Sequence, residues 1–178
     1  MSCTICCNNS ANNTKQAILR FERKELLADI KNYAYIEWDT MKRDNDHDRH
    51  MVADIVEKGN VERVTRVLDL TFAHIVELCY PYTKKWAKPK SSRDDEYEEE
   101  DEYVMYMTIP ETFSETTLNY LEKLIHNLLV NAVLADWFSM TKPESAANWA
   151  TKTNALEDAI VTSLTHRYRP LTRKSSPY

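Results

Sequence analysis

The chain has 178 residues, 43% hydrophobic and 29% charged, with a formal net charge of −5. That composition suits one soluble domain with a core of its own. Gly59 is the only glycine. Phosphate-cradling loops, dinucleotide turns and strained nucleophile elbows all require glycine, so nucleotide-binding and hydrolase sites of the usual kinds are not expected, and helices are favoured over a turn-rich β fold. The charge is unevenly spread. Asp94, Asp95, Glu96, Glu98, Glu99, Glu100, Asp101 and Glu102 place eight acids in nine residues, and without those eight charges the net of −5 becomes +3.

In chain order, residues 1–13 read as a polar, Asn-rich, flexible arm with Cys3, Cys6 and Cys7, and no apolar run suggesting a secretory signal follows Met1. Thr14 is placed to cap a helix reaching about Asp39, with Ile18, Phe21, Ile30, Tyr33 and Ile36 inward and Leu26 and Leu27 widening that side. A second helix is expected over His47–Lys58, with Met51, Ile55 and Val52 inward. Gly59 would end it in a left-handed cap, and Asn60 would cap the next. That third helix carries Val61, Val64, Leu68, Ile75 and Cys79 in one stripe, flanked by Val67, Phe72 and Leu78, and Pro81 ends it.

Tyr103, Met105, Met107 and Ile109 alternate with Val104, Tyr106 and Thr108, the period of a half-buried strand. Its expected partner is Tyr82–Lys88, in a hairpin insertion over 82–109 whose long loop holds the acidic run. A long helix capped by Ser114 follows, to about Met140. Thr141-Lys-Pro-Glu144 reads as a capping box with proline in the first turn of a last helix, which ends near Tyr168 and carries Ala146, Trp149, Leu156, Ile160 and Leu164. The short connection makes these two helices an antiparallel hairpin. The fold class is therefore mainly α: a five-helix bundle with a long C-terminal helical hairpin and one small β-hairpin, spanning 14–168, with a basic tail over 169–178.

Leu124–Phe138 holds eleven apolar residues in fifteen, which is too short to span a bilayer and is interrupted by His126, Asn127, Asn131 and Asp136. A helix apolar all round must be covered all round. Leu124, Leu128, Val130, Val133, Leu134, Trp137 and Phe138 are accordingly candidates for a subunit interface as well as for the core.

Three stretches invite chemistry. Cys3, Cys6 and Cys7, with Cys79 as a fourth ligand, could form a zinc site, but structural zinc prefers two spaced pairs, and Cys79 falls in a core stripe. Asp44, Asp46 and Asp48 imitate the start of a calcium loop, which fails where Arg49 replaces the required glycine and Ile55 the required glutamate; His50 and Asp54 lack evident further ligands. Arg63 and Arg66, on the helix after Gly59, raise a helix-turn-helix DNA-binding regulator of the cytoplasm as the alternative function. No catalytic, cofactor-binding or metal residues are assigned, and the expectation is a protein that is not an enzyme.

GNVERVTRVLDLTFAHIVELCYPYTK (Gly59–Lys84) and LIHNLLVNAVLADWF (Leu124–Phe138), the latter followed by Pro143, Trp149 and Lys152 and then by HRYRP, resemble helical proteins of tailed bacteriophages and of prophages of gut bacteria. Those proteins look like neck, or head–tail joining, components. The resemblance covers about two-thirds of the chain, Gly59 to Pro170, and lies in packing patterns. It implies a small helical bundle closing into a cyclic homo-oligomeric ring between portal and tail, in the virion neck, after assembly in the host cytoplasm. Portal and adjacent neck or tail proteins would be its partners, DNA a non-specific passing cargo, and no membrane would be involved. A ring needs two different patches per subunit. On that view Arg167, Arg169, Arg173 and Lys174 form a docking tail, and the run from Asp94 to Glu102 docks on a basic partner or lines a channel that repels DNA.

Overall fold

A computed structural model describes residues 4–9, 14–41, 46–84 and 101–165, with residues 4–9 and 46–49 described by their backbone alone. The elements run β1 (Thr4–Asn9), β2 (Thr14–Glu22), α1 (Arg23–Thr40), α2 (Asp46–Ala53), a 3-10 turn (Asp54–Val56), α3 (Val61–Leu78), the single turn α4 (Tyr80–Thr83), β3 (Glu102–Pro110), α5 (Glu115–Thr141) and α6 (Pro143–Thr165). The molecule is mainly helical. Its C-terminal helices pack against one another as the expected hairpin, and an antiparallel sheet is the one β component among the described residues.

The sheet differs from the expected hairpin. Its strand order is β1-β2-β3, all antiparallel. Residues 14–22, expected as the start of a helix, form β2, and part of the expected N-terminal arm forms β1. The partner of β3 is β2, whereas Tyr80–Thr83 are helical; Lys85–Lys88 lie outside the described residues. The physical reason is alternation. Ala17, Leu19 and Phe21 are buried on one face of β2, and Tyr103, Met105, Met107 and Ile109 on the same face of β3. The register sets Phe21 opposite Tyr103, Leu19 opposite Met105 and Ala17 opposite Met107, so the two apolar rows coincide. A slip by one residue would turn one row out to solvent, which fixes the pairing.

Starting at Arg23 changes which face of α1 is inward. Leu26, Ile30 and Ala34, at helical spacing, are fully buried, whereas Tyr33 and Ile36, expected inward, are 38% and 50% exposed. Val52 and Ile55 of the next segment are buried as expected, but Met51 is exposed.

The Gly59 junction also differs. The backbone of Gly59 is outside the left-handed region, and a Cβ there would meet nothing within 4 Å. The chain turns through the 3-10 segment instead, with Glu57 N–H donating to Asp54 O at 3.1 Å and Asn60 Nδ2 donating to Asp54 O at 2.9 Å. Asn60 precedes α3 with no side-chain cap, its backbone being helical (φ −106°, ψ −19°) rather than extended as a capping residue's is. α3 buries Val64, Leu68, Phe72 and Ile75, and Cys79 after it, as its stripe predicts. Pro81 lies within the first turn of α4, where its missing N–H costs nothing.

Ser114 precedes α5 as expected, although without a side-chain cap bond. Thr141 is the last residue of α5 rather than the cap of α6: its Oγ1 donates back to Trp137 O at 3.0 Å, so the expected capping box is not formed. Pro143 does open α6. α1, α2, α3 and α6 all pack on α5, and Trp137 of α5 donates through Nε1 to Val52 O at 3.3 Å.

Because Gly59 uses none of its special freedom, Gly59→Ala is expected to be neutral or to stabilise the chain by up to ~1 kcal/mol, through lower unfolded-state entropy. Urea denaturation measures this directly, and a clear loss of stability would show that the junction needs glycine.

Candidate functional site

The seven candidate interface residues occupy one continuous stretch of α5, and all of them are buried within the chain itself. Leu128, Leu134 and Phe138 are completely covered, and Leu124, Val130, Val133 and Trp137 nearly so. They form the centre of the bundle and not a surface patch. α1, α2, α3 and α6 cover most of the circumference of α5, while Thr116, Tyr120, Lys123 and Asn127 leave one narrow polar stripe exposed.

The charged segments fall mostly elsewhere. Arg167, Arg169, Arg173 and Lys174, together with Asp94, Asp95, Glu96, Glu98, Glu99 and Glu100, lie outside the described residues. Asp101 and Glu102 are described and are part of the folded body. The Asp101 carbonyl accepts from Arg23 N–H at 3.0 Å, satisfying one of the open donors at the start of α1. Glu102 opens β3 and pairs with Arg20 at 3.2 Å. Glu22, Arg23, Lys24, Leu27, Asp101 and Glu102 border an open cleft of about 550 Å³ there, with charges of both signs.

The other end of the 84–101 segment is also fixed. Tyr82 is buried, and its hydroxyl donates to Leu164 O at 3.1 Å, near the end of α6. Its ring packs edge-on against Phe113 at 5.8 Å. The described residues leading up to Lys84 and those at the C-terminal end of α6 are therefore joined through Tyr82 and Leu164, whereas Asp101, next to the acidic run, is held on Arg23. Sequence periodicity carries no signal for this, since 82 residues separate the partners.

The arginines weighed for DNA reading are engaged by acids. Arg63 reaches Asp136 of α5 through Nε at 3.1 Å and Nη2 at 3.3 Å, and Arg66 pairs with Glu62 one turn earlier. Their helix faces the core along Val64, Leu68 and Ile75. Cys79 is a core thiol, pushed up to about 12 by burial, so it does not supply a thiolate at neutral pH. Cys6 and Cys7 lie on β1, and Cys3 outside the described residues. Of the remaining metal candidates, His50 is exposed and Asp54 opens the 3-10 turn. Asp46 and Asp48 lie in the backbone-only part of α2, and Asp44 is outside the described residues. The described residues contain no group of three or more ligand-type side chains placed to hold a metal. No helix among them is long and apolar enough to cross a membrane.

One polar node was not legible in the sequence. Glu37, near the end of α1, accepts from Lys142 Nζ at 2.6 Å and Ser145 Oγ at 3.2 Å through Oε2, and from Trp149 Nε1 at 3.4 Å through Oε1. Lys142 is the single residue between α5 and α6, so Glu37 ties α1 to the hinge of the C-terminal hairpin. Burial pushes the Glu37 carboxyl up, but the Lys142 hydrogen bond and charge and the two neutral donors outweigh it, and the net shift is downward. Around this node Trp149 packs against Tyr33 at 5.5 Å and Phe138 at 6.0 Å, and the Lys152 ammonium lies 3.9 Å from its ring centre.

Comparison with family models, with curated proteins and with solved structures finds no match. Surfaces and contacts are thus the material for a functional argument.

Glu37 gives that material a pH signature. Because folded Glu37 holds its proton less tightly than an unfolded glutamate, its stabilisation is complete above the ordinary value of about 4.3 and is lost as pH falls through the lower folded value. Glu37→Gln should flatten this acid limb in urea denaturation at graded pH, and Lys142→Ala should cost about 1–3 kcal/mol near neutrality. Equal acid limbs in wild type and Glu37→Gln would remove the node from the account.

Proposed function

We propose that this chain is a non-enzymatic structural protein of a tailed-phage virion, forming a ring in the neck between portal and tail through which DNA passes. The reading begins from the resemblance of Gly59–Lys84 and Leu124–Pro170 to neck components. The mainly helical fold agrees with what that resemblance implies, and the parts of both segments that are described pack on one another through α3, α5 and α6.

The observation that carries the reading furthest is the Tyr82–Leu164 contact. It sets the end of the described residues at Lys84 beside their end at Thr165, while the acidic run adjoins the other flank of residues 85–100, at Asp101 beside Arg23. A ring subunit needs two unlike patches, one for each neighbour. Segments of opposite charge, extending from a body whose apolar helix is already covered, supply unlike patches without an exposed apolar face. Segments that order on docking also reach partners in the next layer of a stack, here the portal or the adjacent neck or tail protein. An acidic run near a channel keeps passing DNA from sticking. The acids Asp136 and Glu62 beside Arg63 and Arg66 lower the positive potential of that face, which supports this reading over the DNA-binding regulator.

Mass photometry of the full chain, alone and with its cognate portal, tests the proposal. Ring-sized assemblies are expected, falling to monomers when Arg167, Arg169, Arg173 and Lys174 are all replaced by glutamate and weakening as salt is raised. A wild-type chain that stays monomeric and does not bind portal overturns the reading.

A further inference from the structure

α6 is joined to α5 by one residue and rests mainly on the helix it is joined to. Lys142 N–H donates to Phe138 O at 2.9 Å, continuing the bonds of α5, while Lys142 O accepts from Ser145 N–H at 3.0 Å and Ala146 N–H at 3.3 Å, opening those of α6. The chain thus reverses within a single residue, where antiparallel helix pairs take about 2–5. Pro143 disfavours a helical backbone at Lys142, so the two helices do not merge into one rod. The inward side chains of α6 are Trp149, Ile160 and Leu164, with Ala146 and Leu156 partly covered, and α5 is the element on which α6 packs most extensively. Its ties elsewhere include Ser145 and Trp149 to Glu37 of α1, Glu157 to His74 of α3 at 3.4 Å, and Leu164 O to the Tyr82 hydroxyl of α4.

We propose that α6 is an exchangeable arm whose second seat is the α5 groove of another copy of this chain, two chains pairing by exchanging α6 reciprocally. The occupant follows from the identity of the two seats. A second copy offers α6 the same α5 stretch and the same Glu37, His74 and Tyr82, so the exchanged form keeps the contacts of α6 and leaves no apolar flank of α5 in water. The closed and exchanged forms differ in the direction taken at Lys142. A short hinge tilts the choice toward exchange, because the return on the same chain must be made in one residue. The freedom lost when two chains join tilts it back, so protein concentration decides. A folded chain must strip α6 from α5 before exchanging it, and the choice is therefore set while the chain folds. This pairing uses neither the acidic run nor the basic tail and does not rest on the neck reading.

The reporters are His74 and Glu157, a pair whose side chains are 49% and 32% exposed and whose removal costs little. Cys3, Cys6 and Cys7 are replaced by serine throughout, and the buried Cys79 is kept. One full-length chain then carries His74→Cys and another Glu157→Cys. The two are unfolded in urea with reductant, mixed, refolded at high concentration and mildly oxidised. A dimer is expected on sedimentation, with a disulfide joining the two chains at the substituted positions. Inserting Gly-Ser-Gly after Lys142 in both chains, which lets α6 return on its own chain, is expected to abolish the linked dimer. A dimer without that linkage overturns the exchange, as does a linked dimer that survives the insertion. The wild-type chain, refolded in the same way and found wholly monomeric, overturns it without recourse to any variant.

Discussion

The constraint on which the structure depends is the covering of α5. A helix that carries Leu121, Leu124, Ile125, Leu128, Leu129, Val133, Leu134 and Phe138 around most of its circumference can face water only along the narrow stripe of Thr116, Tyr120, Lys123 and Asn127. Each such side chain contributes roughly 1.5–3 kcal/mol when fully removed from water, so leaving one flank open would offset much of a typical net stability. The other helices are arranged as its cover. α6 folds back along it, α1 and α3 close other flanks, and α2 reaches it where Trp137 bonds to Val52. The sheet packs its one apolar face inward and completes the same core through Phe21, Tyr103 and Met105.

Covering an apolar helix does not by itself say which helix lies where, and the polar contacts supply that information. Glu37 has three donors from the hinge and first turns of α6, so α1 is held near one end of α5 in one position along it. Arg63 fixes α3 on Asp136, and Tyr103 of β3 donates to Asp69 of α3 at 2.8 Å. None of these pairs is local in sequence. They act as registration marks on a core whose apolar contacts are individually interchangeable.

The same division explains what could be read from the sequence. Periodicity located α3, α5, α6 and β3 because each keeps one pattern over many residues. It failed over 14–22 because Ile18, on the outer side of β2, interrupts the alternation of Ala17, Leu19 and Phe21, and the following charged turn RKEL continues smoothly into a helix. The choice of Tyr82–Lys88 as the partner of β3 followed from proximity in sequence, whereas the matching apolar row was in β2, far upstream. Residue type alone points to a left-handed cap at Gly59, yet the 3-10 turn and the Asn60 amide perform the change of direction. Glu37 has no local signature in the sequence, since its significance depends on what the bundle places beside it.

Burial of the α5 stretch also changes where an assembly could be built. A ring closed by large apolar faces would have to take its contact surface from residues such as Leu128 or Phe138, and the chain has already used these on itself. Among the described residues what remains outside is scattered apolar surface, including Tyr35, Leu70 and Tyr120, and the sequence adds an acidic run and a basic tail. Single exposed apolar residues are ordinary and do not define a patch. Association would then be driven chiefly by the charged segments, with an attraction that acts at a distance, is screened by salt and tolerates small changes in relative orientation. The apolar core is therefore closed within the described residues, and the proposed ring would have to draw on charge rather than on the α5 stretch.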